Sequence, residues 1–418
     1  MGDYRKLWTD LGIDLKKHDQ LCEILPELYS SVYLEQEDRP EGMNYYNYVV
    51  SEVHGARIKE LDEFKKNGGK VLGTFCVFVP DEVILAAGAL GVGLCAGSEF
   101  WVEGGEKVLP KNLCPLIKAF TGAKIDATCP YFQSCDILVG ETTCDGKKKA
   151  WELLNKYVPV HVMDLPQMKT EKDYIKWQNE IKIFIKKVEQ LTGNKITFEK
   201  LKSAINLVNK KRRALKRLYD LRKYKPSPIS GLDSLLISQI AFYDDINRFT
   251  ENLNNLCDEL EDRIKKEKPT KKRIMITGTP MALPNWKIHH IIESLDAEVV
   301  VEETCTGTRY FENEVCENGE TLDDLIKNIA DRYLKVNCAC FTPNSGRIDD
   351  ILRYAGEYNV DGVIDYNLPF CHTYAIEDAD VRQVLKEHNI PVMRIETGYS
   401  NEDSGQIKTR VEAFLEMI

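Results

Sequence analysis

The sequence predicts an α/β protein with two doubly wound parallel-sheet domains flanking a helical segment, preceded by an N-terminal helical region. Three observations carry this. Between residues 69 and 166, short apolar runs such as KVLGTFCVFVP and VGLCAG alternate with amphipathic stretches, the pattern of strands joined by crossover helices. Residues 167–270 lose those runs and become rich in Lys and Glu at helical spacing, with a brief break at KYKPSPISGLD. From residue 271 the first texture returns.

Taken in order, residues 1–68 read as helical, with repeated Leu and Tyr spacing and a stop at Asn67-Gly68-Gly69. KVLGTFCVFVP is then a buried strand by length and composition, ending at Pro80. DEVILAAGA suits a helix with Asp81 as its N-cap. VGLCAG is a second strand, and LCPLIKAFTG opens a helix with Pro115 in its first turn, where proline lacks no needed donor. DILVGETTCDGKKKAWELL reads as strand, loop and helix, and VPVHVMDLP as another strand. In the region 271–418, KRIMITGTPM, AEVVVEETCTG, VNCACFTPN and VDGVIDYNLPFCH each read as strand then loop, and IPVMRIETGYS closes the series. The second half thus repeats the grammar of the first, which is compatible with internal duplication.

Composition narrows the function classes. The chain has 418 residues, 43% hydrophobic and 29% charged, with a net charge of −10. Such an acidic chain is a poor partner for nucleic acid. No window approaches the ~18 consecutive apolar residues of a membrane span. The start, MGDYRKLWTDLGIDLKKHDQ, has no apolar core and no cleavage signature, so the expectation is a cytoplasmic protein. There is no G-x-x-x-x-G-K-[ST] phosphate loop, and NGGK at 67–70 lacks the spacing.

Thirteen cysteines are unusual for such a chain, because a reducing compartment does not keep structural disulfides. No C-x-x-C occurs, which argues against zinc ribbons and thioredoxin-like sites. Cys76 and Cys95 lie near strand ends, Cys114 and Cys144 open helices, Cys305 and Cys371 follow strands, and Cys338 and Cys340 close one. Ligands of open α/β sheets gather at the carboxyl ends of strands. Helix N-termini favour the thiolate that metals need. Cys22 and Cys257 sit in charged helical surroundings and read as structural, as do Cys135 and Cys316. Many thiols with almost no nearby histidine suggest iron–sulfur rather than zinc. His372, beside Cys371, is the one histidine singled out.

The segments GTFCVFVPDEVILAAGA, LPKNLCPLIK, ETTCDGKKKAWELL, DLPQM, CTGTRYF, CACFTPN, DGVIDYNLPFCHTYAIED and TRVEAFLEMI together resemble the 2-hydroxyacyl-CoA dehydratase and benzoyl-CoA reductase superfamily. The similarity extends over about residues 70–418. Within it, the chain looks closest to the double-cubane-cluster proteins, a branch of anaerobic reductases. The resemblance implies that Cys114, Cys144 and Cys371 hold one cubane and that Cys129, Cys305 and Cys340 hold a second, making an [8Fe–9S] cluster, with Cys338, Cys95 and Cys76 in reserve. It implies a homodimer that reduces small molecules, charged by a separate ATP-hydrolysing iron–sulfur activator. It also makes His372 and Glu396 candidates for proton delivery, with Tyr399 behind them, although Gly398 stands where many relatives carry an acidic residue. The three lysines at 147–149 are expected to face solvent. The competing implication is a 2-hydroxyacyl-CoA dehydratase subunit with a single [4Fe–4S] cluster; a non-catalytic cluster carrier and a zinc protein are further contrasts.

Overall fold

All but one of the short apolar runs become strands, because a parallel strand buried on both faces needs only a few apolar residues and then a crossover. The computed structural model describes residues 4–265 and 269–418. Its first sheet holds β1 (Val71–Thr74), β2 (Leu90–Gly93), β3 (Ile137–Glu141) and β4 (Val160–Met163) in the order β2-β1-β3-β4. The second holds β5 (Lys272–Gly278), β6 (Ala297–Glu303), β7 (Gly362–Asn367) and β8 (Val392–Glu396) in the order β6-β5-β7-β8. All pairings are parallel, and the two halves share one strand order. The strand order reverses between β1 and β3 in one sheet and between β5 and β7 in the other, so each has a switch-point crevice at its carboxyl edge.

Two expected strands differ. The run from residue 70 to Pro80 pairs only as far as Thr74; beyond it the chain leaves the sheet while Phe75, Val77 and Phe78 stay buried. VNCACFTPN contains no strand. Its Val336, Cys338, Cys340 and Phe341 are apolar because they are buried in a loop, not because they pair. Asp81 is the first residue of its helix, with Pro80 at the cap position.

The helical stretch between the sheets works as a strut. Helix Glu171–Thr192 begins in a capping box formed by Thr170 and Asp173. The next helix, Phe198–Leu221, ties both halves. Its Arg212 pairs with Glu82, beside the first sheet, at 2.6 Å, and Arg222, just past its end, pairs with Glu302 of β6 at 2.8 Å. Both pairs are fully buried. Removing one member of such a pair leaves an uncompensated buried charge. The N-terminal helices Arg5–Asp10, Leu15–Tyr29, Met43–Ser51 and Ala56–Lys66 are fastened to this body by Arg39, which reaches the buried Asp233 at 2.6 Å. The two halves also meet directly. Gly97 donates its N–H to Leu283 O at 2.9 Å, and a Cβ on Gly97 would sit 2.1 Å from Ala282 O, so only glycine allows this approach.

Candidate metal centre

The carboxyl edges of the two sheets face a shared cavity of about 750 Å³. Nine cysteines line it: Cys76, Cys95, Cys114, Cys129, Cys144, Cys305, Cys338, Cys340 and Cys371. The local folding explains the convergence. Cys76 and Cys95 follow β1 and β2, Cys305 follows β6, and Cys114, Cys144 and Cys371 are the N-cap residues of helices Pro115–Ile125, Asp145–Leu154 and His372–Glu387. Cys129 caps the short helix Pro130–Ser134. Cys338 and Cys340 lie in the loop that the sequence had suggested as a strand. The other four cysteines are elsewhere. Cys257 is buried in helix Ile246–Arg263, Cys316 is exposed, Cys135 bonds Tyr131 O, and Cys22 lies in an N-terminal helix.

The thiols perturb one another in pairs: Cys114 with Cys371, Cys76 with Cys305, and Cys338 with Cys340. In each pair one thiol is lowered and its partner raised. Cys371 and Cys76 are pushed well up by their thiol partners and by burial. Cys114 is pulled down by Cys371 and by the N–H groups of Leu116 and Ile117. Cys338 falls to about 5 through its bond from Cys340, helped by Arg309 and Tyr374. Charge also links the pairs, since Cys338 acts on Cys144, Cys305 and Cys371. Cys129 differs. Burial raises it to about 11, and the groups that oppose this are helix N–H groups and Lys124, with no other lining cysteine among them.

Cations stand beside the thiols. Lys147 was expected to face solvent but is buried against the cavity, 3.6 Å from the buried Glu141. Burial disfavours its charge, yet Cys76, Glu141, Cys95 and Cys144 outweigh that and raise its pKa. Only Lys148 and Lys149 are exposed as expected. Arg309 Nη1 lies 4.0 Å from Cys305 Sγ, and the guanidinium is held by Glu303 at 2.5 Å. Arg347 shares Glu303 at 3.2 Å, and Tyr374 OH bonds Arg309 and approaches Cys338 Sγ at 3.5 Å. Sequence reading missed Arg309, which reaches the thiols from the short helix Thr308–Phe311 that follows the Cys305 turn.

His372 lines the cavity and is exposed at its mouth. Glu396 is not brought to it: its exposed side chain pairs with Arg394 at 2.6 Å. Tyr399 is buried near the thiols. Burial, Tyr366, Cys114, Cys95 and Cys371 raise its pKa, and its hydroxyl has no hydrogen-bond partner among the described residues. The donor set suits an anionic, thiolate-held group: many soft sulfur donors, helix N-termini, and two buried cations in a cavity large enough for a cofactor.

A doubly wound α/β protein with a cysteine-lined crevice between its halves belongs to the class that builds its ligand site at the carboxyl ends of its strands. Residues 76–418 match the family model described as 2-hydroxyglutaryl-CoA dehydratase, D-component, and the chain belongs to that family. It is 41% identical over 377 residues to YjiM of Escherichia coli (strain K12), named as a dehydratase subunit, covering 88% of this chain and 96% of that one. It is 24% identical to the (R)-phenyllactyl-CoA dehydratase beta subunit of Clostridium sporogenes, over 90% of this chain and 98% of that one. It is 23% identical to a benzoyl-CoA reductase subunit of Thauera aromatica, over 84% and 89% respectively. The relatives are dehydratases and reductases, and the chain is an enzyme of that superfamily. No helix of the described residues is long and apolar enough to cross a membrane.

Proposed function

We propose that the protein is a cytoplasmic low-potential iron–sulfur reductase of small molecules, charged by a separate ATP-hydrolysing iron–sulfur activator and acting as a homodimer. The observation that carries this reading is the number and grouping of the cavity thiols. One cubane requires three protein ligands by the family likeness, and Cys114, Cys144 and Cys371 suffice. Six further cysteines line the same space. We assign the second set as Cys76, Cys305 and Cys340, giving six ligands for an [8Fe–9S] double cubane. Cys76 takes the place that the sequence reading gave to Cys129, because Cys76 and Cys305 perturb each other's thiols, whereas Cys129 answers to Lys124 and helix N–H groups. Such a cluster supplies single electrons at low potential when bound.

The chain's own residues set the conditions around that chemistry. Arg309 and Lys147 place buried positive charge beside the thiolates, which favours the anionic state of the site. Phe370 and His372 edge the mouth, where the exposed His372 imidazole can donate to or accept from a molecule entering the cavity. Glu396 sits outside the cavity, so the proton role passes to His372.

The second reading is a 2-hydroxyacyl-CoA dehydratase subunit with one [4Fe–4S] cluster, favoured by the family description and by the names of the relatives. Iron and acid-labile sulfide counted after anaerobic purification separate the two. About eight irons and nine sulfides per chain support the double cubane, with Cys76→Ala and Cys305→Ala each removing about half. About four irons per chain would refute it and leave the dehydratase reading, to be tested with acyl-CoA substrates.

A further inference from the structure

A second group of soft donors lies outside the cysteine cavity. His18 and Cys22 are one turn apart on helix Leu15–Tyr29, so they share a face. His54, in the turn after helix Met43–Ser51, comes to meet them. His18 Nε2 is 3.0 Å from His54 Nδ1, and Cys22 Sγ is 3.9 Å from His18 Nε2. One donor atom from each residue lies within 4.8 Å of the others. Zinc bonds of about 2.0–2.1 Å to nitrogen and 2.3 Å to sulfur separate tetrahedral donors by roughly 3.4–3.6 Å. The His18–His54 and His18–Cys22 separations fall on either side of that range, and all three donors lie within 4.8 Å of one another.

We propose that His18, Cys22 and His54 form a mononuclear site for a borderline-soft divalent cation, zinc, distinct from the cysteine cavity. The surroundings suit it. His18 is fully buried and His54 nearly so. The Trp8 ring packs edge-on against His18 at 4.3 Å, and its Nε1–H donates to His54 O at 2.7 Å, holding the turn in place. Burial keeps both imidazoles in the neutral, ligating form. A side cavity of about 190 Å³ borders Cys22 and His54 and leaves a fourth position for water. Three protein ligands and one open position is the arrangement of sites that do chemistry, rather than of closed structural zinc. His54 also lines the large cavity, so the ion stands at the wall between the two spaces.

The test uses the full chain, purified anaerobically with its iron, equilibrated with one equivalent of zinc sulfate and desalted. Metal is counted, and the zinc K-edge absorption spectrum is recorded, which iron does not obscure. The expected result is about one zinc per chain with one sulfur near 2.3 Å and three nitrogen or oxygen atoms near 2.0–2.1 Å. Cys22→Ser and His54→Gln should each weaken zinc retention by about tenfold or more at unchanged iron content and circular dichroism. Wild-type protein that retains no zinc overturns the proposal, as does a sulfur-only shell, which would put zinc among the cavity cysteines. Equal retention by wild type and Cys22→Ser overturns it too. If His54→Gln fails to fold, Cys22→Ser decides, since that side chain is only partly buried.

Discussion

Glu302 is the sharpest point at which to test the packing argument. It is fully buried on β6, and Arg222 reaches it at 2.8 Å, Tyr219 OH at 2.6 Å and His289 Nε2 at 2.9 Å. Burial alone would raise its pKa, but Arg222 and these hydrogen bonds outweigh burial and lower it from 4.5 to about 2. At about 1.4 kcal/mol per tenfold change in proton affinity, that depression is worth ~3 kcal/mol of stability. Loss of one partner of a buried ion pair costs about 3–5 kcal/mol, in agreement. Because the folded pKa is the lower one, the stabilisation is complete above the unfolded value of 4.5 and is lost as pH falls toward 2. Glu302→Gln keeps the shape and removes the charge. Urea unfolding followed by circular dichroism at pH 7 should show it less stable than wild type by about 3 kcal/mol. At pH 3.5 the gap should shrink by about 1 kcal/mol, since the wild-type carboxylate has by then lost part of its advantage. Adding Arg222→Met should recover part of the loss, because no buried charge is then left alone. A single-mutant cost under about 1 kcal/mol, or a double mutant no better than the single, would refute the claim that this pair ties the strut to the second sheet.

Other outcomes follow from the site and the packing. In cluster-free protein, alkylation of Cys338 by a small reagent, read by peptide mass spectrometry, should be nearly constant from about pH 6 to 9 and slow below about 5, because its depressed pKa keeps it thiolate; Cys95, raised by burial to about 12, should stay unreactive throughout. Lys147→Met should slow alkylation of Cys76 and Cys144 several-fold at pH 8, since the cation that favours their thiolates is gone; an unchanged rate would remove Lys147 from the site's electrostatics. Cys129→Ala should retain its iron where Cys76→Ala does not, as measured by iron content per chain. Gly97→Ala should destabilise the protein by about 2 kcal/mol or more in urea titration, because the new methyl meets the Ala282 carbonyl and main chain must shift.

Much of this molecule was legible in the sequence. Most apolar runs marked the strands, and the positions of Cys76, Cys95 and Cys305 just past a run placed them at a sheet edge. What could not be read was three-dimensional. The part of KVLGTFCVFVP beyond Thr74, and VNCACFTPN, look like strands because burial, not pairing, sets their composition, and a cavity wall buries residues as well as a sheet does. Lys147 reads as one of three surface lysines, yet the helix rotates it inward by about 100° from its neighbour, toward Glu141. Glu396 directly follows the buried Ile395 on its strand, where a slip of a single residue exchanges faces; it points to solvent. Cys129 and Cys76 cannot be ranked by spacing, since what distinguishes them is the influence of Cys305, far along the chain, on the Cys76 thiol.

The contact between Gly97 and the Ala282–Leu283 turn has a bearing on how such a molecule diversifies. The gap between the halves is gauged there by main-chain atoms, whose size no substitution alters. Cysteines, cations and mouth residues can therefore be exchanged one by one while the opening they surround keeps its width. Chemistry is free to drift across descendants of such a chain, and the calliper that spaces it stays set.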